Sequence, residues 1–202
     1  MATANRIGAK GSAVLAAGRD GAAASVMPLV RAGFAAYEKA MFPEDIRRLA
    51  QQIVASATER GLMLATAESC TGGLVAAALT AIPGSSAAVD RGFVTYSNEA
   101  KMQMLDVPEA ALAAHGAVSE AAARAMAVGA VARSRAQASV SVTGVAGPGG
   151  GSDDKPVGLV HFAAAGPSGV IHREMRFGDI GRDAVRLASV RAALELLVGR
   201  LG

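Results

Sequence analysis

Apolar positions change their period several times along the chain, and each change marks an element. After Pro43, the residues Ile46, Leu49, Ile53 and Val54 recur at helical spacing. The proline is tolerated in a first turn, and Glu44 and Asp45 suit a helix N-terminus. Gly61 stops that helix. Leu62 to Thr66 is a short apolar run suited to a buried strand, Leu74 to Leu79 a helical one, and Val89 to Tyr96 a second strand. Ser97 and Ser119 are N-caps with a glutamate close behind, for helices running to Leu105 and to about Ser134. Ser139 to Thr143 alternates as a strand does, and Val157–Ala165 and Val170–Phe177 flank Gly166-Pro167-Ser168-Gly169 as a hairpin would. The last helix is predicted from Arg182 to about Val198, with Val185, Ala188, Ala192 and Leu196 on one face.

Strands alternating with helices and closed by a hairpin predict a three-layer α/β/α sandwich with a mixed, mostly parallel sheet. Residues 1–42 hold several glycines and no sustained period. They are expected to form a poorly ordered extension, with a short helix near 27–40, ahead of one domain at 43–202.

Composition narrows the function classes. Hydrophobic residues make up 51% of the chain but aromatics only 3%, with no Trp, so the core is aliphatic and offers little stacking surface to single-stranded nucleic acid. The net charge of +3 comes from residues 1–41, and the remainder is balanced at 15 basic and 15 acidic residues, which argues against nucleic acid as a partner. A single cysteine, Cys70, excludes an intramolecular disulfide and a four-cysteine metal site. No uncharged apolar run approaches the roughly 18 residues of a membrane helix, so no membrane partner is expected.

The chemistry concentrates at Thr66-Ala67-Glu68-Ser69-Cys70-Thr71-Gly72-Gly73. Ser69 lies where a buried strand turns into a helix, whose first N–H groups lack internal partners and favour negative charge. An oxyanion or a phosphate would be stabilised there, and Gly72 and Gly73 leave the backbone open to a substrate. On the local pattern alone, Ser69 or Thr71 reads first as a simple helix cap. A nucleophilic serine needs a base. His115, in a loop, and His161 and His172, in strands, stand singly and lack metal-ligand spacing, so no metal is expected. Past the extension only two lysines exist, Lys101 and Lys155. Lys101 follows the strand ending at Tyr96, and a lysine acts as base only when burial or cationic neighbours keep it neutral. Cys70 is the rival nucleophile, since a thiolate at a helix start is activated.

Downstream, Thr143 ends a strand and opens a glycine-rich loop from Gly144 to Gly158, which could form an anion-binding concavity or a surface hairpin. Its adjacent Asp153 and Asp154 point apart and suit a solvated turn. If their strands run parallel, Ser69, Tyr96 and Thr143 all lie at carboxyl ends and converge on one crevice. Arg182 and Arg186 share a helix face, and could hold a phosphate or pair with Asp179 and Asp183.

These segments, with Gly92 to Lys101, His115-Gly116-Ala117-Val118-Ser119-Glu120, Thr143 to Pro148 and Lys155-Pro156-Val157-Gly158, strongly resemble the CinA C-terminal domain family over about residues 43–199. The resemblance implies a cytoplasmic nicotinamide-nucleotide amidase of the pyridine nucleotide cycle. Such an enzyme hydrolyses nicotinamide mononucleotide to nicotinic acid mononucleotide and ammonia, without a cofactor. It implies Ser69 as nucleophile and Lys101 with Tyr96 in proton transfer. It also implies substrate contacts from Thr143, Gly144, Gly147 and Arg182, to which the nucleophile turn would add Thr71, Gly72 and Gly73. A small-molecule nucleotide is the expected partner, in a homodimer. Many family members carry a large further N-terminal domain, so the stand-alone amidase form is expected here. The alternative is a non-catalytic nucleotide-binding module that regulates a partner.

Overall fold

The computed structural model describes residues 41–201, and the expectations for residues 1–40 lie outside them. The elements, in order, are α1 (Glu44–Glu59), β1 (Leu64–Glu68), α2 (Leu74–Thr80), a 3-10 turn (Ser85–Ala87), β2 (Val89–Val94), α3 (Asn98–Leu105), α4 (Glu109–His115), α5 (Glu120–Ala132), β3 (Ala138–Gly144), β4 (Leu159–Gly166), β5 (Gly169–Arg176) and α6 (Arg182–Leu201).

The five strands form one mixed sheet in the order β2-β1-β3-β4-β5. β1 pairs in parallel with both β2 and β3, whereas β4 is antiparallel to β3 and β5. Four strands therefore run one way and β4 alone opposes them. The two-residue alternation of side chains divides the core by face. Leu64, Val140, Val142, Val160 and Phe162 pack under α1, α2 and α6, with Phe42, Ile46, Ile53, Leu79, Val185 and Leu197 among the buried residues. Ala65, Ala67 and Phe93 pack under α3, α4 and α5, through Leu105, Leu112, Ala122 and Met126. The expected three-layer sandwich is what the chain forms.

Two boundaries differ from the sequence reading in ways that bear on the site. β1 runs to Glu68 rather than ending at Thr66, and all five of its residues are buried. The helix α4 was not expected, and His115, expected in a loop, is its last residue. Only Leu112 of α4 is buried, so this short Ala-rich segment shows no apolar period.

Candidate active site

β2, β1 and β3 are parallel, so their carboxyl ends bring Tyr96, Ser69 and Thr143 to one edge of the sheet. The ladder continues one step beyond β1. Thr95 N–H donates to Glu68 O at 2.8 Å, and Ser69 N–H donates to Val142 O at 2.9 Å. Ser69 is thereby held between its two neighbouring strands at the point where the chain leaves the sheet.

Lys101 reaches this point from α3. Ser97 caps that helix, its Oγ accepting from Ala100 N–H at 3.1 Å. Lys101 is only 1% exposed, among the largest fully buried side chains. Its Nζ lies 2.8 Å from Thr95 O, 3.4 Å from Tyr96 O and 3.2 Å from Ser69 Oγ. Burial lowers the Lys101 pKa, and the opposing influence of Cys70 and Glu99 does not cancel that shift. The three oxygens can take the three N–H groups of an ammonium, and they also fit a neutral amine. Its two N–H groups can donate to the two carbonyls, which leaves the lone pair to accept from the Ser69 hydroxyl.

The turn after Ser69 differs from the expected one. Neither Ser69 nor Thr71 caps α2; Gly73 occupies the N-cap position. Gly72 and Gly73 adopt φ of 61° and 95°, so both serve the turn by entering a region that other residues rarely adopt. The vacant helix N-terminus foreseen as an anion site is filled from within the chain. The Glu68 carboxylate accepts from the N–H groups of Gly73 (3.0 Å), Val75 (3.0 Å) and Ala76 (2.8 Å), and from Thr66 Oγ1 (3.0 Å). A fully buried carboxylate is costly unless hydrogen-bonded, and the positive end of α2 provides that compensation. The sequence reading assigned Glu68 no role. The available signal was an acid just past an apolar run, four positions ahead of a glycine pair and a helix.

Two turn amides are left over. Among the described residues no acceptor takes the N–H of Cys70 or of Thr71. Thr71 is buried with its hydroxyl unpaired, and its carbonyl accepts from Arg186 at 2.9 Å. Cys70 is buried as well, and burial pushes its thiol up to about 11. It is a protonated core residue at neutral pH, and its thiol is not activated by the helix start.

The remaining expected residues form the outer part of the crevice. Tyr96 is 63% exposed, and its hydroxyl lies 3.4 Å from an Arg182 guanidinium nitrogen. Arg182 also donates to Gly147 O at 3.0 Å, which ties α6 to the glycine-rich loop. Neither arginine depends on a tight ion pair: Arg186 is 4.0 Å from Asp183, and no acid among the described residues pairs with Arg182. Thr143 is buried and its hydroxyl donates to Ala117 O at 2.7 Å. Gly144 packs against the Leu159–Val160 backbone and Gly147 against Val157. Ser69 and Lys101 therefore meet directly, Tyr96 touches Lys101 through its carbonyl and Arg182 through its hydroxyl, and Thr143 lies beside the pair without bonding to it.

Fold and site together define an α/β domain that presents a serine hydroxyl to a buried amine at the carboxyl ends of parallel strands. The CinA C-terminal domain model matches residues 46–201, and the chain belongs to that family. It is 50% identical over 159 residues to the nicotinamide-nucleotide amidohydrolase PncC of Escherichia coli K12, covering 78% of this chain and 95% of that protein. It is 53% identical over 157 residues to a CinA-like protein of Synechococcus, spanning 38% of that longer chain. Among solved structures, competence/damage inducible protein CihA of Agrobacterium tumefaciens superposes with a TM-score of 0.77 at 60% identity, over 78% of this chain and 96% of that one. A CinA superfamily protein of Klebsiella pneumoniae gives 0.73 at 39% identity, over 77% and 97%.

Proposed function

We propose that this chain is a nicotinamide-nucleotide amidase that converts nicotinamide mononucleotide and water to nicotinic acid mononucleotide and ammonia through a Ser69 acyl-enzyme. The 50% identity over 159 residues to a protein of that name supports the substrate, and one observation carries the mechanism: the buried Lys101 amine lies 3.2 Å from Ser69 Oγ with two backbone carbonyls to orient it.

Neutral Lys101 accepts the Ser69 proton as Oγ attacks the carboxamide carbon. The oxyanion that forms is received by the unengaged amides of Cys70 and Thr71. The C–N bond breaks as the Lys101 ammonium returns its proton to the departing nitrogen, and ammonia leaves. Water then attacks the ester, with Lys101 accepting its proton. The ester C–O bond breaks, Ser69 Oγ recovers a proton and the carboxylate product departs. Arg182, steadied by Gly147 O and close to the Tyr96 hydroxyl, receives the anionic phosphate. The other turn and loop contacts proposed for the substrate are Thr71, Gly72, Gly73, Thr143 and Gly144. The same reading puts the reaction in the pyridine nucleotide cycle of the cytoplasm and the chain in a homodimer.

The test is ammonia release from the mononucleotide by the wild-type chain and by Ser69→Ala. Turnover that is lost in the variant supports the proposal. Near-normal turnover by Ser69→Ala refutes the nucleophile, and mononucleotide binding without turnover by the wild type would favour a regulatory module.

A further inference from the structure

Resting on the Ser69–Lys101 reading, we infer that Glu68 is a positioning residue, which acts with Arg186 to clamp the nucleophile turn from beneath and from outside. The mechanism above leaves unused one fully buried carboxylate, directly next to Ser69 in the chain. Alternation along β1 turns Glu68 toward the face covered by α2, whereas Lys101 approaches from the helices of the opposite face. Ser69 therefore sits between an anchor on one side of the sheet and its base on the other.

The anchor acts on the turn itself. Glu68 Oε2 accepts from both Gly73 and Val75, and Oε1 from Ala76 and Thr66, so the carboxylate joins the last residue of β1 to the first turn of α2. The chain between those points is only Ser69 to Gly72. Arg186, from α6, holds the middle of this span through Thr71 O, and its guanidinium lies 3.6 Å from where a Cβ on Gly72 would stand. With both ends and the middle fixed, the Ser69 hydroxyl and the Cys70 and Thr71 amides have one arrangement relative to Lys101. Because Glu68 uses the N–H groups of the helix end, those groups are not available to the substrate, and the oxyanion is left to the turn amides alone.

Replacing Glu68 by Gln keeps the shape but turns an amide NH2 toward backbone N–H donors, so the turn must shift. Replacing Arg186 by Met removes the hold on Thr71 O, and Lys at that position can restore a donor. The experiment measures kcat and KM for the mononucleotide, with thermal unfolding, for Glu68→Gln, Arg186→Met and Arg186→Lys beside wild type and Ser69→Ala. The expected result is a fall in kcat of about 30-fold or more for Glu68→Gln and Arg186→Met, with KM within about threefold and partial recovery in Arg186→Lys. If Glu68→Gln does not fold, the Arg186 pair decides alone. Wild-type kcat in a folded Glu68→Gln or Arg186→Met, or a change confined to KM, overturns the inference. An active Ser69→Ala would instead overturn the mechanism on which it rests.

Discussion

Gly129 lies far from the chemistry, yet the geometry makes it a sensitive probe of the Lys101 position. It sits in α5 where α3 crosses, and a Cβ built on it would stand 2.0 Å from Leu105 O and 2.9 Å from Leu105 Cβ. Ordinary contact begins at 3.4 Å, so Gly129→Ala forces the two helices apart by roughly 1.4 Å at that point. The obstacle is backbone, which cannot rotate aside. Overpacking of this kind costs about 1–3 kcal/mol, and at about 2–4 °C per kcal/mol for a domain of this size it lowers Tm by roughly 2–12 °C. The helix that must move, α3, carries Lys101 one turn before Leu105. Misplacing a reacting group by about 1 Å can cost about 100-fold, so a part of the shift reaching Nζ lowers kcat about tenfold or more, with KM little changed. Thermal unfolding and steady-state ammonia release on the same preparation measure both effects. A variant with lowered Tm but unchanged kcat would show that the Ser69–Lys101 distance does not limit the reaction. Unchanged Tm would refute the packing argument itself.

Cys70→Ala is expected to keep turnover within a few-fold, because the thiol is buried and protonated; iodoacetamide should leave the folded wild-type chain unmodified at pH 7.5, and loss of activity on alkylation would contradict this. The pH profile of kcat/KM should rise with a one-proton limb whose midpoint lies below the ordinary lysine value, since only neutral Lys101 is a base. The same depressed pKa makes the unfolded chain bind more protons than the folded one between the folded pKa of Lys101 and the ordinary value near 10.4, so the Lys101 contribution to stability increases with pH across that window. Lys101→Met should remove that slope, which urea titrations at several pH values would measure. Arg182→Ala should raise KM for the mononucleotide tenfold or more with a smaller change in kcat, and should not affect the corresponding nucleoside, which lacks the phosphate. Equal losses on both substrates would place Arg182 elsewhere in the mechanism.

The layered fold was legible because most elements have strong periods. Ile46, Ile53 and Val54 announce α1, and Ser97 and Ser119 act as the caps expected of them. The meeting of Ser69 with Lys101 could be anticipated only as a convergence of strand ends and from the family resemblance, because spacing in the chain carries no distance. What stayed hidden depends on partners distant in sequence or on backbone geometry. Glu68 lies past the apolar run that ends at Thr66, and a carboxylate is rarely buried in a strand, so its place shows only once α2 brings three N–H groups onto it. Arg186 was paired with Arg182 on one helix face, but the two reach different segments, Thr71 and Gly147. Gly72 and Gly73 were read as an opening for substrate, while their positive φ angles show that the turn needs them first for its own shape.

The central claim is a serine acyl-enzyme made by a lysine base, and trapping tests it most directly. Wild-type chain, Cys70→Ala, Ser69→Ala and Lys101→Met are mixed with nicotinamide mononucleotide, quenched in acid during turnover, digested and mapped by peptide mass. The account predicts the acyl mononucleotide on Ser69 in the wild type and in Cys70→Ala, and none in the other two. An adduct on Cys70, or undiminished ammonia release by Ser69→Ala, would contradict it.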